Sequence, residues 1–110
     1  MLNGITVLEP GAAVSLHFHN CEESVLVLSG HGCVHSNGND HAIGPNDVTW
    51  IPAGVPHCFR NASAREPLAI FWTYASIDAT RTMLATGVTT RIDREHIPTD
   101  RMQRSATDPE

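Results

Sequence analysis

The sequence predicts an all-β fold, a single small barrel or sandwich of short antiparallel strands. Short apolar runs alternate with Gly, Pro and Asn turns about every 8–12 residues, which is typical of such folds. No stretch before residue 90 combines helical periodicity with capping residues. A length of 110 residues, of which 41% are hydrophobic, supports one domain with its own core.

The strands are predicted from apolar runs and from the turns that end them. The first run ends at Pro10-Gly11, and the second alternates apolar and polar side chains up to His19. The third ends at Gly30. The predicted strands are residues 5–8, 14–19, 24–28, 31–36, 41–43, 48–51, 55–60 and 68–74.

Turn residues separate the later strands in the same way. The Asn37-Gly38 step between the fourth and fifth strands is a strong hairpin signal. Gly44-Pro45 ends the fifth strand and Pro52 ends the sixth. The last run is the most apolar, and we expect it to be covered on both faces.

Composition excludes several classes of function. Twelve acidic and seven basic residues give a formal charge of −5, which argues against a nucleic-acid partner. All seven bases are Arg, so neither a Schiff-base lysine nor a phosphate-loop lysine is present. No apolar run is long enough to span a membrane, no signal peptide is evident, and three cysteines are in no paired spacing. We therefore expect a cytoplasmic protein without a membrane partner.

The last 20 residues differ from the rest of the chain. They carry nine of the 19 charged residues and few aliphatic ones. We therefore divide the chain into a barrel domain, residues 1–90, and a charged tail, residues 91–110. The tail is expected to be disordered or to dock on a partner subunit.

Seven histidines are the first indication of chemistry. His17 and His19 lie two residues apart on a predicted strand, so their side chains share one face and can converge on one ion. The pair alone is weak evidence for a metal site, because a chain this rich in His contains such a pair by chance in many cases. The two residues could equally be exposed histidines on a strand.

Two longer motifs surround these histidines. They read Gly11-x5-His17-x-His19-x3-Glu23-x6-Gly30 and Pro52-x-Gly54-x2-His57-x3-Asn61. Over about residues 5–75 the chain thereby resembles the cupin superfamily. One position departs from the family: Asn46 stands where the second motif usually opens with Gly, and Asn tolerates a left-handed turn better than other non-glycine residues.

The cupin resemblance implies both a fold and a site. The fold is a single-domain cupin β-barrel, that is, a jelly roll or double-stranded β-helix. The implied ligands are His17, His19, Glu23 and His57, around one divalent transition metal. Fe, Mn, Ni, Cu, Co and Zn all suit such a mixed nitrogen and oxygen set. Glu22 is the neighbouring alternative, but on a strand it points away from Glu23.

Strand alternation also predicts the surroundings of the site. Val25, Val27 and Phe59 face inward with the ligands, giving an apolar lumen suited to a small organic molecule. Three aromatic residues either line this lumen or pack in the core: Trp50, Trp72 and Tyr74. Alternatives stay open for other residues near the site. One of His31, His35 and His41 is an acid–base group near the metal, or all three are solvated loop residues. Cys21 is a small buried thiol, an extra ligand or an oxidation target, and the segment 76–81 is a turn or closes the barrel mouth.

The predicted outer faces indicate assembly. Leu16 and Phe18 should point outward, as should Leu26 and Leu28 on what we expect to be an adjacent strand. An apolar patch of this kind needs a cover. Cupins of this size are commonly homodimers, so we expect a homodimer.

The cupin resemblance leaves three functions open. The first is a metalloenzyme of dioxygenase type acting on a small organic substrate, favoured because the lumen is apolar and contains no evident carboxylate besides Glu23. The second is a metal-dependent isomerase or lyase of a sugar or keto acid. The third is a non-catalytic cupin that binds or senses a small ligand. The same ligands serve all three, so fold and ligands do not decide between them.

Overall fold

A computed structural model describes residues 1–95, and residues 96–110 of the predicted tail lie outside the described part. The described chain contains ten strands and one helical turn. These are β1 (Leu2–Leu8), β2 (His17–His19), β3 (Glu23–Ser29), β4 (Gly32–Ser36), β5 (Asn39–Ile43), β6 (Val48–Ile51), β7 (His57–Asn61), β8 (Leu68–Tyr74), β9 (Thr80–Met83), β10 (Thr89–Arg91) and α1 (Ile92–Glu95).

The strands form two antiparallel sheets. The four-stranded sheet has the order β1-β8-β3-β6, and the six-stranded sheet has the order β10-β9-β2-β7-β4-β5. Neighbours in each sheet are mostly distant in sequence, as in a jelly roll. This arrangement confirms the prediction of an all-β fold. No helix in residues 1–95 has the length and apolar character needed to cross a membrane.

The core lies between the two sheets. Along β8 every second side chain is buried, and these are Leu68, Ile70, Trp72 and Tyr74. The expectation that both faces of β8 are covered is half correct, because the residues between these four are only half-buried. Val25, Val27 and Phe59 are buried as predicted. The alternation of side chains along each predicted strand therefore assigned these residues to the inner face correctly.

Turn geometry follows the predicted turn residues. Asn37 and Gly38 both have positive φ, 53° and 82°, as a two-residue hairpin loop requires. Asn46 also has a positive φ, 73°. The residue that departs from the cupin motif thus adopts the left-handed conformation for which the family uses glycine.

Several boundaries differ from the prediction. The second strand is only His17–His19, preceded by an isolated bridge between Ala13 and Arg60. Strands β9 and β10 were not predicted, and the last two residues of segment 76–81, Thr80 and Arg81, belong to β9. Both strands are rich in Thr and Arg, and neither contains a fully buried residue. Backbone pairing with β2 and with each other holds these two strands in place. Their sequences therefore lack the apolar residues from which the other strands were predicted.

The first residues of the predicted tail pack on the barrel. Ile92 is 1% exposed and belongs to the hydrophobic core, and its N–H donates to the Ala79 carbonyl at 2.9 Å. Arg91 bonds to Asp78 and Asp93. The expectation that the tail is disordered or docks on a partner subunit therefore stays a prediction for residues 96–110, which lie outside the described residues.

The outer faces differ from the expected patch. Strands β2 and β3 belong to different sheets, so Leu16 and Phe18 do not share a surface with Leu26 and Leu28. A different apolar row crosses the outer face of the four-stranded sheet, where the register aligns Ile5, Phe71, Leu26 and Val48. Trp50 is 61% exposed, so both interpretations of it, as a core residue and as a lumen residue, are wrong.

Candidate metal centre

The four predicted ligands meet between the two sheets. His17 and His19 project from the same face of β2, and His57 lies opposite His17 at the start of β7. Glu23 starts β3 in the other sheet. All four side chains are buried, at 5% exposure or less. Glu22 is exposed, as strand alternation predicted.

The distances between these groups are short. The ligand nitrogens of the three histidines all lie within 4.8 Å of one another. Oε1 of Glu23 lies 3.0 Å from Nε2 of His57 and 3.3 Å from Nε2 of His19. The structure therefore brings together all four residues that the motifs single out.

Backbone carbonyls fix the orientation of the three rings. In each ring Nδ1 lies at hydrogen-bond distance from a carbonyl oxygen, which can only accept, so Nδ1 carries the hydrogen. For His17, His19 and His57 in turn, the carbonyls belong to Ser15 (2.6 Å), Thr80 (2.9 Å) and Val55 (2.9 Å). A neutral ring bound in this way turns the lone pair of Nε2 toward the centre, as in metal sites.

Burial tunes two of the groups toward their ligand forms. Desolvation lowers the pKa of His17 to about 3, despite its hydrogen bond to Ser15. Burial raises the pKa of the Glu23 carboxyl, but its interactions with His19 and His57 outweigh this effect and lower the pKa to about 2. Near neutral pH the centre thus holds a neutral His17 imidazole and an ionised carboxylate, which are the forms that bind metals.

The arrangement fits a divalent transition ion. Two ligands each about 2.1 Å from one ion lie at most about 4.2 Å apart, so the nitrogens need to approach one another only slightly. Nε2 of His19 is buried and makes no well-aligned hydrogen bond among residues 1–95, and Oε1 of Glu23, at 3.3 Å, is its polar neighbour. A buried nitrogen lone pair that faces a carboxylate oxygen is costly, and coordination of a cation between the two atoms would satisfy both.

A cavity of about 250 Å³ opens onto the centre. Phe59, Ile70 and Trp72 provide its apolar wall, and Tyr74 stands beside His19 with ring centroids 4.6 Å apart. Burial raises the pKa of Tyr74 well above its usual value, so the phenol keeps its proton. Trp72 and Tyr74 thus both pack in the core and line the lumen.

Two charged residues line the cavity without having been assigned a role there: Arg81 ends the segment 76–81, which was expected near the barrel mouth or in a turn, and Glu95 corrects the expectation that Glu23 is the one carboxylate of the lumen. Arg81 on β9 and Glu95 on α1 both line it, and Nη1 of Arg81 lies 3.1 Å from Oε1 of Glu95. Arg81 is the register partner of His19, so it faces inward. For Arg81 the sequence did offer a signal: in Thr80-Arg81-Thr82 the side chain of Arg81 would point to the opposite face from its two neighbours if the segment were a strand. Glu95 carried none, because it is one of many charges in its segment.

Comparison with known proteins assigns the family. A family model described as a cupin domain matches residues 4–74, which is more than half of the chain. The chain belongs to the cupin family. Over 61 residues this cupin is 42% identical to mannose-1-phosphate guanylyltransferase of Escherichia coli, a match that covers 54% of this chain and 13% of that protein.

Solved structures share the same fold. A predicted oxalate decarboxylase of Thermotoga maritima superposes with a TM-score of 0.63 and 32% identity, over 66% of this chain and 64% of that one. Salicylate 1,2-dioxygenase of Pseudoaminobacter salicylatoxidans, with gentisate, gives a TM-score of 0.60 at 18% identity, over 64% of this chain and 18% of that one. This cupin thus spans less than two thirds of these relatives, and the dioxygenase likeness shows the fold alone.

The remaining motif residue has a structural role in this cupin. Asn61 is 2% exposed, and its side chain donates to the carbonyls of Leu8 (3.0 Å) and Glu66 (2.7 Å). Its Oδ1 accepts from the Ser63 N–H at 2.9 Å. Asn61 therefore ties β7 to β1 and to the loop before β8, and it does not reach the cavity.

Among residues 1–95, the other three histidines and the nearby cysteine lie apart from the candidate metal centre. His31 and His41 are exposed, and His35 bonds to Asp40 at 2.7 Å on the outer surface of the six-stranded sheet. Cys21 is half-buried against the core. Burial raises the pKa of its thiol, which favours the protonated, unreactive form.

Proposed function

We propose that this cupin is a metal-dependent enzyme of dioxygenase type for a small organic substrate. The ligands are His17, His19, His57 and Glu23. One observation carries the proposal: three oriented imidazole nitrogens and a carboxylate converge where a cavity of about 250 Å³ with a largely apolar wall opens onto them. A divalent ion of Fe, Mn, Ni, Cu, Co or Zn would supply Lewis acidity there, and redox chemistry where the metal allows it.

The protein's own residues prepare the site for such a substrate. The Nδ1 hydrogen bonds to backbone carbonyls keep the imidazoles aimed at the centre. Phe59, Ile70 and Trp72 exclude water and contact the apolar part of the substrate. The protonated phenol of Tyr74 interacts with Glu23 and Arg81, and it can donate to a substrate oxygen that takes the place of the Glu23 contact. The cavity is smaller than those that bind drug-sized ligands, so a small metabolite is expected.

A second candidate is a metal-dependent isomerase or lyase of a sugar or keto acid. The observation that favours it is Glu95, a second carboxylate on the cavity wall that could act as a base. Its two oxygens, however, are engaged by Arg81 at 3.1 Å and by the Thr90 hydroxyl at 2.5 Å. Because both oxygens are already engaged, this carboxylate is less available to take a proton from a substrate, so we rank dioxygenase chemistry first.

Oxygen consumption tests the first candidate. Protein loaded with Fe(II) or Mn(II) is offered catechols, diketones and thiols, beside His17→Ala and the control His41→Ala, which changes an exposed histidine. We expect uptake in the wild type and the control and none in His17→Ala. Hydrogen exchange next to a carbonyl in D2O, without oxygen uptake, would instead indicate isomerase or lyase chemistry. Binding without any turnover would support a non-catalytic cupin.

We further propose that the protein works in the cytoplasm. Its three cysteines are free and partly buried, and the two whose pKa is shifted, Cys21 and Cys58, have it raised by burial. Free thiols persist in a reducing compartment. Fractionation of the source cells, followed by detection of the protein, checks this proposal.

A further inference from the structure

We propose that Arg81 binds a carboxylate, or a similar oxyanion, of the substrate and that Glu95 is the counter-ion of Arg81 before the substrate binds. The proposal rests on the proposed function, because it places a charged part of the substrate in the cavity above the metal centre. It goes further by specifying the substrate class: small organic acids rather than neutral sugars or amides.

The position of Arg81 carries the first step. Its backbone pairs with His19, and neighbouring side chains in such a pair lie on the same face of the sheet. The side chain is 26% exposed and lines the same cavity as His17 and Glu23. It is the one cationic side chain among the described residues that line this cavity, apart from the histidines. A ligand bound at the centre would therefore lie beside a guanidinium group.

The hydrogen bonds of the guanidinium carry the second step. Glu95 contacts Nη1 and the Tyr74 hydroxyl also interacts with the guanidinium, whereas Nε is buried and has no hydrogen-bond partner among residues 1–95. The edge of a guanidinium formed by Nε–H and an Nη2–H can hold a carboxylate by two parallel hydrogen bonds. An unpaired buried donor is costly, so an oxyanion that satisfies it gains free energy on binding.

Charge balance carries the third step. The carboxylates of Glu23 and Glu95 and the guanidinium of Arg81 sum to one negative charge at neutral pH. A divalent cation reverses this sum to one positive charge, which a substrate monoanion neutralises. Glu95 opposes an incoming anion by its own charge and competes for the guanidinium. Removing the charge of Glu95 should therefore help a carboxylate to bind, whereas removing that of Arg81 should hinder it.

Fluorescence titration with a matched pair of probes tests the assignment. Trp50→Phe, a change of an exposed residue, leaves Trp72 in the cavity wall as the one tryptophan of the sequence. The zinc-loaded, full-length protein with this change is titrated with benzoate and with benzamide, which differ in charge and little in shape. Arg81→Gln and Glu95→Gln are then compared in the same background.

The two variants should act in opposite directions. We expect benzoate to bind about tenfold or more tightly than benzamide, Arg81→Gln to abolish that preference, and Glu95→Gln to strengthen benzoate binding about two- to fivefold. Equal binding of the two probes, no binding of either, or weakening of benzoate binding by Glu95→Gln would overturn the proposal. Should Arg81→Gln not fold, the direction of the Glu95→Gln effect still decides.

Zinc content separates this proposal from the proposed function. Neither variant removes a predicted ligand, so both should retain the zinc of the parent protein. A parent protein that binds no zinc would contradict the metal centre itself. A parent that binds zinc and shows no preference for benzoate would contradict only the role of Arg81.

Discussion

Nε2 of His57 lies 3.0 Å from Oε1 of Glu23, while Nδ1 of the same ring lies 2.9 Å from the Val55 carbonyl oxygen. Because the carbonyl fixes the hydrogen on Nδ1, a neutral ring would present an Nε2 lone pair to a carboxylate oxygen. Two acceptors at this distance repel each other unless a positive charge accompanies them. A metal ion between the two atoms would supply this charge, and this is why we expect a cation at the centre.

The metal-free protein should lose stability as the pH falls. Burial keeps His17 unprotonated in the folded state down to a pKa of about 3, whereas the unfolded chain binds a proton below about 6.5. The unfolded state then binds more protons, so the free energy of unfolding falls with pH, by about 2 kcal/mol between pH 6.5 and 4.5. Glu23 adds a further loss from about pH 4.5 to about 2, because its folded pKa is lowered as well.

Urea unfolding at several pH values, with a chelator present, measures this loss. His17→Asn should flatten the dependence between pH 6.5 and 4.5, and His41→Asn, which changes an exposed residue, should leave it unchanged. A wild-type slope that persists in His17→Asn would show that burial of this imidazole is not its cause.

Asn46 can be replaced by glycine but not by a β-branched residue. Its φ of 73° is open to glycine and costly for valine. We expect Asn46→Gly to match or exceed the wild type in stability and Asn46→Val to lose about 1–2 kcal/mol. Thermal unfolding checks both, and neither variant should change the metal content. Wild-type stability in Asn46→Val would contradict the backbone argument.

Asn61 should matter for stability and not for metal binding. Asn61→Ala leaves two carbonyls and one N–H without the buried side chain that now pairs them, which should cost about 2–4 kcal/mol. The exposed Asn3 offers a control, and Asn3→Ala should cost little. Denaturant unfolding measures both. Unchanged stability together with reduced metal content would mean that Asn61 acts at the centre.

The sequence predicted the parts of the site that depend on local spacing. His17 and His19 share a face because they are two residues apart, and Asn46 keeps its turn because its own φ is tolerated. His57 and Glu23 were placed by the cupin motifs, which summarise a long-range pairing that spacing alone does not reveal. The burial of Val25, Val27 and Phe59 followed from strand alternation.

The missed features depend on contacts between distant segments. Strand β9 forms because β2 and β10 offer it hydrogen bonds, and its own residues are polar. Glu95 reaches the cavity because Ile92 docks α1 on the core. The many charged residues around positions 91–95 predicted a solvated tail. Burial of the single Ile92 side chain nevertheless holds these residues on the barrel. Trp50 faces outward because it lies on the outer side of β6, the edge strand of its sheet.

The homodimer remains a prediction, now with a specific surface. The row formed by Ile5, Phe71, Leu26 and Val48 crosses the outer face of the four-stranded sheet, and Val48 is 63% exposed. We expect Phe71→Glu to convert a dimer into a monomer, since it buries a charge in an apolar contact. Light scattering after size-exclusion chromatography checks this, with Arg60→Gln on the other sheet as a control. A monomeric wild type would contradict the prediction.

Elemental analysis tests the central claim most directly. The wild-type protein and His57→Ala are purified side by side, and both are also soaked in Fe(II), Mn(II), Ni(II) and Zn(II) before the free metal is removed. We expect about one transition-metal ion per chain in the wild type, since the described residues form one such cluster, and little in His57→Ala. Wild-type protein that binds none of these ions, or His57→Ala protein that is folded and retains a full complement, would contradict the metal centre.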